Sequence, residues 1–558
     1  MASTTPAPTL TPTTLMDLST DVKTLVLGYV IRPTDLKNVC LTCKQFHEIA
    51  VRQLYHEVTL DVGSPTDSKL TSFINPRNIG LPHIRKLDLY LADVMDKCNQ
   101  LTQANFAIRM ILEFLPEDIL EKFSWHPWSA FSADNLLLLY KKQKRMKWME
   151  AIAMDRNVIP EINKLPNLDK AFENVRKLGL YPDSREVLDL CQLLMKNTSK
   201  VEKIVLHASF DDEHDRTVSS RELNDSSTAP GLITSTIFGH LQPFESCTPL
   251  QLRDLTLQKI NLRYAADTYC KFVDFRSIKA LRIFGCSGAD SMFAELSKST
   301  KLPERLETLE IKHDDNQEND TLNALDGFLC LVSGIKVLTM DICYAKALPS
   351  SAGITRHSRT LQELNVHASR GDGEEEELVY EYDQFEKICT ECTQIEQLCA
   401  AFPATSVIRA HSDPFSQFEG ALGNLPNLIT LNITTWPTNT PSSSRLPRKI
   451  YEHLLQSLAQ AGFERSITHH ASLSRSSKLA VIAFGSSDKV YDREDSKNQI
   501  IFVKGRQVDP FGKEECLAVQ VGWCLRKYVE PRSEVLDFSL ARSLRPPTRE
   551  PPQSDDSD

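Results

Sequence analysis

Apolar positions change their period along this chain, and the changes mark out its elements. Leu18, Val22, Leu25, Val26 and Tyr29 recur at the spacing of one helix face. Pro33 stops that run, and Thr34 can cap a second helix on which Leu36, Val39, Cys40 and Cys43 form a stripe; Phe46, Ile49, Ala50 and Leu54 make a third. The pattern predicts three short amphipathic helices. Together they carry more apolar positions than so small a bundle can hide, so part of that surface is expected to bury on something else. The alternation of Val58, Leu60 and Val62 then predicts a strand.

From residue 84 one frame keeps returning, with aliphatic residues at positions one, four and six. Its clear copies are Ile84/Leu87/Leu89, Val175/Leu178/Leu180, Val201/Ile204/Leu206, Leu252/Leu255/Leu257 and Ile278/Leu281/Ile283. Leu306/Leu309/Ile311, Ile335/Leu338/Met340, Leu361/Leu364/Val366 and Leu428/Leu431/Ile433 continue it; Ile395/Leu398/Ala400 and Leu479/Ile482/Phe484 are weaker. One triple means little, so the spacing decides. Starts at 252, 278, 306, 335 and 361 lie 26, 28, 29 and 26 residues apart, the period of a strand plus a helix in a leucine-rich repeat. The intervals 201 to 252 and 428 to 479 are each 51 residues, and each is expected to hold a degenerate repeat or a loop. The polar run from Asp211 to Pro230 favours a loop in the first.

Residues 101–174 do not keep the aliphatic frame and are expected to form a helical insertion. In it Leu136, Leu139, Tyr140, Trp148 and Ile152 suggest one long amphipathic helix. Apolar segments on either side of Pro510-Phe511-Gly512 predict a terminal hairpin that caps the array. The expected fold class is therefore α/β: a three-helix module over 15–60, a repeat solenoid over 61–490 with its insertion, and a capping segment over 491–544. Residues 1–14 and the acidic tail 545–558 offer too little apolar surface to offset the entropy of ordering.

Composition narrows the function. Apolar content of 41% and charged content of 25% suit a folded chain, and a net charge of -10 argues against a general nucleic-acid binder. No apolar run spans a bilayer and the start lacks a signal-peptide pattern, so no membrane partner and an intracellular setting, cytoplasm or nucleus, are expected. The 14 cysteines are scattered among hydrophobic positions, which fits a reducing compartment. The basic cluster from Lys141 to Lys147 falls inside a helical pattern and reads as a solvated face.

Leu18-Ser19-Thr20-Asp21-Val22, with Leu25, Leu27 and Tyr29, resembles the opening of an F-box. The stretch from Pro33 to Ala50, closed by Leu54-Tyr55, looks like its remainder. With the repeats behind it, the chain resembles fungal-type F-box proteins with leucine-rich repeats. That resemblance implies docking on a Skp-family adaptor, and through it a cullin-RING complex, as the substrate receptor of an SCF ubiquitin ligase. Leu18, Leu25, Leu36 and Val39 are the expected adaptor-binding residues. The alternative reading is a non-catalytic repeat scaffold whose F-box binds an adaptor without ubiquitin transfer.

In such an array the residues between and just after the aliphatic positions line the exposed sheet face. Tyr90, Tyr181, His207, Arg282, Phe284, Lys312, Asp341 and His367 are the expected contacts to a client protein. Cys40-x-x-Cys43 and Cys389-x-x-Cys392 have zinc-like spacing but lack a second matching pair, so they are read as core and no metal or cofactor is expected. Cys286 and Cys343 stand where leucine-rich repeats place a turn-satisfying Asn or Cys. The acidic stretch Asp372 to Asp383 reads as a solvated loop. No nucleophile elbow or phosphate-binding motif occurs, so no enzymatic activity is expected.

Overall fold

The computed structural model describes residues 15–30, 32–62, 68–90, 97–125, 131–151, 158–164, 172–182, 184–208, 230–298, 300–315, 320–371, 377–407, 413–437, 448–485, 499–508, 512 and 514–522. The terminal segments 1–14 and 545–558, and Trp523 and Cys524, lie outside them. The chain divides into two compact units, residues 1–149 and 150–558.

The first unit opens with helices α1 (Thr20–Leu27), α2 (Pro33–Cys40) and α3 (Lys44–Leu54). Ser19 caps α1 by accepting the Val22 N–H. Pro33 does not end a helix but starts α2, where its missing N–H costs nothing; the expected cap at Thr34 lies inside that helix. Leu27, Leu36, Ile49 and Ala50 form the bundle core, with Val30, Val39, Cys40, Phe46 and Leu54 packed around them. Next come β1 (Glu57–Asp61), α4 (Ser68–Phe73), β2 (Lys86–Tyr90), α5 (Lys97–Phe114), β3 (Lys122–Trp125), α6 (Ala133–Lys142) and β4 (Trp148–Ala151). Strands β1 to β4 pair in chain order, each parallel to the last.

Residues 101–174 are therefore not a helical insertion, because β3 and β4 are sheet strands. The frame persists there in other residue types, as Leu120/Phe123/Trp125 and Met146/Met149/Ala151; the first five of these are all buried. Aromatic and thioether side chains fill the same inward positions as aliphatic ones, so an aliphatic criterion passes over them. The long helix expected through Ile152 stops at Lys142. Lys142 Nζ donates to the carbonyls of Leu112, Glu113 and Leu115 at the end of α5, and the Gln143 side-chain Oε1 accepts the N–H groups of Ile119 and Leu120. These bonds satisfy the orphan carbonyls of one helix and turn the chain into the next strand.

The second unit carries α7 (Val158–Asn163), β5 (Lys177–Leu180), α8 (Arg185–Asn197), β6 (Lys203–His207), α9 (Leu232–Ile237), β7 (Asp254–Gln258), α10 (Ala266–Phe272), β8 (Ala280–Phe284) and α11 (Ala289–Leu296). It continues with β9 (Thr308–Asp314), α12 (Thr321–Leu331), β10 (Val337–Cys343), α13 (Ser351–Thr355), β11 (Glu363–Ala368), α14 (Tyr382–Glu391), β12 (Gln397–Ala400), α15 (Asp413–Ala421) and β13 (Thr430–Ile433). Helix α16 (Arg448–Ser472), β14 (Val481–Phe484), β15 (Ile500–Val508) and β16 (Glu514–Gln520) close it. Strands β5 to β14 run parallel in chain order, and the antiparallel pair β15–β16 caps them as the sequence predicts. The two long intervals hold no extra strand among the described residues, since β6 pairs directly with β7 and β13 with β14. Much of the second interval is α16, which buries Leu455, Leu458, Ala459 and Phe463.

One backbone device repeats with the frame. The carbonyl of position two accepts two N–H groups from the following repeat: Arg176 from Glu202 and Lys203, Arg253 from Lys279 and Ala280, Lys336 from Gln362 and Glu363. Both lone pairs are used, which fixes the register between successive turns. At two places position two sets a carboxylate between cations of the adjacent repeats. Glu307 lies between Lys279 (3.1 Å) and Lys336 (3.0 Å), and Glu202 between Arg176 (3.9 Å) and Arg253 (3.5 Å). Pairs this exposed contribute at most about 1 kcal/mol each, but like charges one register off would repel.

Candidate interaction surfaces

The stripe that makes α1 look amphipathic does not face the bundle. Leu27 and the stem of Lys23 turn inward, whereas Val22, Leu25, Val26 and Tyr29 are exposed, Leu25 at 66% and Tyr29 at 81%. Leu41, at the end of α2, is exposed at 78%. Val22, Leu25 and Val26 follow the spacing of a single face of α1, and Tyr29 continues it just past the helix end, so these four form one ridge rather than scattered apolar residues. Of the four expected adaptor contacts, Leu25 stands on this ridge and Leu18 is half-buried. Leu36 is corrected: it is 6% exposed and belongs to the bundle core, with Val39 packed against that core. Sequence spacing could not assign the stripes of α1 and α2 to different sides.

In the second unit the face opposite the leucines carries two polar rows set by strand register. Position five gives Thr256, Arg282, Glu310, Thr339, Asn365, Cys399 and Asn432 on β7 to β13. Position seven gives His207, Gln258, Phe284, Lys312, Asp341 and His367 on β6 to β11. The structure thus brings most of the expected client contacts side by side. Several are nevertheless closed off. Tyr181, His207, Phe284 and Asp341 are buried, which corrects their expected availability to a partner. Tyr181 folds back over Gly179, where an added Cβ would lie 2.7 Å from its hydroxyl, and its ring meets that of His207 edge-on. Tyr90 ends β2, but its side chain lies outside the described residues.

The charged members are spent on one another. Arg282 donates from Nε to Glu310 (2.9 Å) and from its terminal nitrogen to Asp254 (2.7 Å), and Lys203 reaches the second Asp254 oxygen at 3.6 Å. Lys312 pairs with Asp341 at 3.3 Å, and the other Asp341 oxygen bonds His367 Nδ1 at 2.7 Å. His367 Nε2 in turn lies 3.8 Å from Glu377, which also accepts from the Thr434 hydroxyl. Sequence reading missed Asp254, Glu310, Glu377 and Thr434; polar residues recurring at positions three, five and seven were the available signal.

Burial by itself pushes the Asp341 carboxyl up, but the His367 hydrogen bond and the Lys312 charge outweigh it and hold the group below its ordinary 3.8. The unfolded chain therefore binds the proton first. The stabilisation is present above about pH 4 and is lost as pH falls through the folded-state value. Denaturant midpoints should drop as the pH is taken below about 4. Asp341→Asn, less stable at neutral pH, should show a smaller drop there.

Three of the cysteines singled out by the sequence, Cys286, Cys389 and Cys392, are buried. Cys286 Sγ donates to the Leu257 carbonyl and accepts the Ile260 N–H, so it satisfies the turn as its frame position predicts. Burial pushes its thiol up to about 12. Cys389 and Cys392 are buried on and just after α14, and burial pushes the Cys392 thiol likewise to about 12. The acidic stretch is not wholly solvated: Glu377 is bonded as above, and Tyr380 is buried with its hydroxyl on the Pro349 carbonyl. Residues 372–376 lie outside the described set. Among the described residues no helix is long and apolar enough to cross a membrane.

No protein-family model matches the chain, and no curated protein matches it. Among solved structures, that of the Rad7 and Elc1 complex in yeast is similar at 14% identity, with 78% of this chain and 88% of that chain covered and a TM-score of 0.34. A likeness of that size decides neither fold nor function.

Proposed function

We propose that this chain is a non-enzymatic substrate receptor of an SCF-type ubiquitin ligase, in which the helical module docks a Skp-family adaptor and the leucine-rich-repeat face holds a client protein. The observation that carries the reading is the uncovered ridge of α1: Val22, Leu25, Val26 and Tyr29 lie along one helix face while the bundle closes its core without them. Water contact at such a ridge is costly. Each side chain sealed by a partner contributes roughly 1.5–3 kcal/mol before ordering costs, so a few suffice for a stable interface. Ubiquitin chemistry would then occur on other subunits, and this chain would contribute proximity.

The test is capture of the full chain by purified Skp-family adaptor. Leu25→Asp with Tyr29→Asp alters only exposed positions, so it should leave helix content and melting unchanged while abolishing capture. Equal recovery of wild type and variant rejects the docking role. Leu36→Asp is unsuitable, because it places a charge in the bundle core and loses the fold first.

A further inference from the structure

The second unit contains a polar cell whose own side chains leave three buried oxygens without a hydrogen-bond partner. On β11, β12 and β13, positions three and five of the frame form a grid, with Glu363, Gln397 and Thr430 in one row and Asn365, Cys399 and Asn432 in the next. All six point away from the leucine core, as strand alternation requires. The donors of the grid are partly used inside it: Gln397 Nε2 bonds Glu363 Oε1 at 3.2 Å, and Asn432 Nδ2 bonds Cys399 Sγ at 3.1 Å. Three buried oxygens are left over. Asn365 Oδ1, Thr430 Oγ1 and Asn432 Oδ1 are buried without a hydrogen-bond partner, on side chains 3%, 0% and 0% exposed.

An unmet buried polar oxygen is costly, so three within one grid are a standing cost that an apolar grid would avoid. Asn oxygens only accept, and they therefore need a donor. The neighbouring charge is mainly negative: Glu363 lies in the grid, Asp341 stands in the adjoining row paired with Lys312 and His367, and Glu377 lies beside His367. Asn365 and Asn432 flank β12 and are two strand spacings apart, roughly 10 Å between backbones. A compact ammonium cannot bridge them, whereas a planar guanidinium with five donors spans much more of that width.

The geometry points to a binding cell for a guanidinium group, supplied by an arginine side chain of the client polypeptide. This deepens the client reading and rests on it. The acceptor oxygens take the guanidinium donors, and Glu363 supplies the countercharge. Because these atoms are closed off from solvent, binding includes the cost of an opening, so an isolated arginine derivative should bind only weakly, on the order of 1 mM.

The experiment titrates the full chain, without adaptor, with N-acetyl-arginine amide and, in parallel, N-acetyl-lysine amide, read by calorimetry and thermal shift. The arginine probe should saturate and raise the melting temperature, with the lysine probe at least ten-fold weaker. Asn365→Leu with Asn432→Leu should abolish binding while melting no lower than wild type. Thr430→Val, which removes only a hydroxyl, should weaken binding several-fold and covers the case in which the double variant does not fold. No saturation by the arginine probe, or Thr430→Val binding it as wild type does, overturns the proposal. So does equal binding of both probes. A cell that merely encloses water gives no saturation and variants that melt lower. The Leu25→Asp, Tyr29→Asp variant should bind the probe normally, so failure of adaptor docking and failure of this cell are read separately.

Discussion

Arg282→Met should destabilise the protein by about 3–5 kcal/mol, the usual cost of removing one partner from a buried ion cluster. Arg282 is 21% exposed, Asp254 19% and Glu310 8%, so little water screens the carboxylates once the guanidinium is gone. Asp254 would keep Lys203 at 3.6 Å, whereas Glu310, the more buried of the two, would lose its guanidinium. Arg282→Lys should recover only part of the loss, since one ammonium cannot reproduce the two-sided fork. Chemical denaturation of the three proteins measures this, and a loss below about 1 kcal/mol for the methionine variant would mean that the cluster is effectively solvated. Arg282 is thus a poor probe of client binding, because its substitution disturbs the face it would report on.

Phe418→Ala should cost about 3–5 kcal/mol, from the cavity and the lost ring contacts together. Phe418 on α15 is buried and stacks on Phe385 of α14 at 4.3 Å, with planes 11° apart; Phe402 meets it at 5.4 Å and Tyr382 at 6.3 Å. This aromatic cluster joins two successive repeats behind β12. Phe418→Leu, which retains most of the volume, should lose much less. Similar melting of the alanine and leucine variants would show that the cluster repacks around the void.

Much of the fold was legible from spacing. The one-four-six frame predicts strands β5 to β14, including the weak copies at β12 and β14, because every inward position of a parallel strand must be apolar and the pairing register repeats with the frame. The segment around β3 and β4 was illegible for a chemical reason: Phe123, Trp125, Met146 and Met149 occupy inward positions with shapes the aliphatic pattern excludes. The surfaces were harder to read. A residue's row follows from its frame position, so His207, Arg282, Lys312, Asp341 and His367 could be placed on one face; whether each remains free on that face depends on neighbours 26 or more residues away.

By itself the sequence determined the period, the α/β class, the terminal hairpin and which side of strands β5 to β14 is apolar, since these depend only on intervals along the chain. The tertiary structure decided three further things. It turned the stripe of α1 outward and that of α2 inward, because the bundle core is completed by Leu27, Leu36, Ile49 and Ala50. It neutralised Arg282 and Lys312 with carboxylates from adjacent strands. It also left the oxygens of Asn365, Thr430 and Asn432 buried and unbonded. Each outcome depends on distances between residues far apart in sequence, and hydrogen bonds and ion pairs act only over a few ångströms.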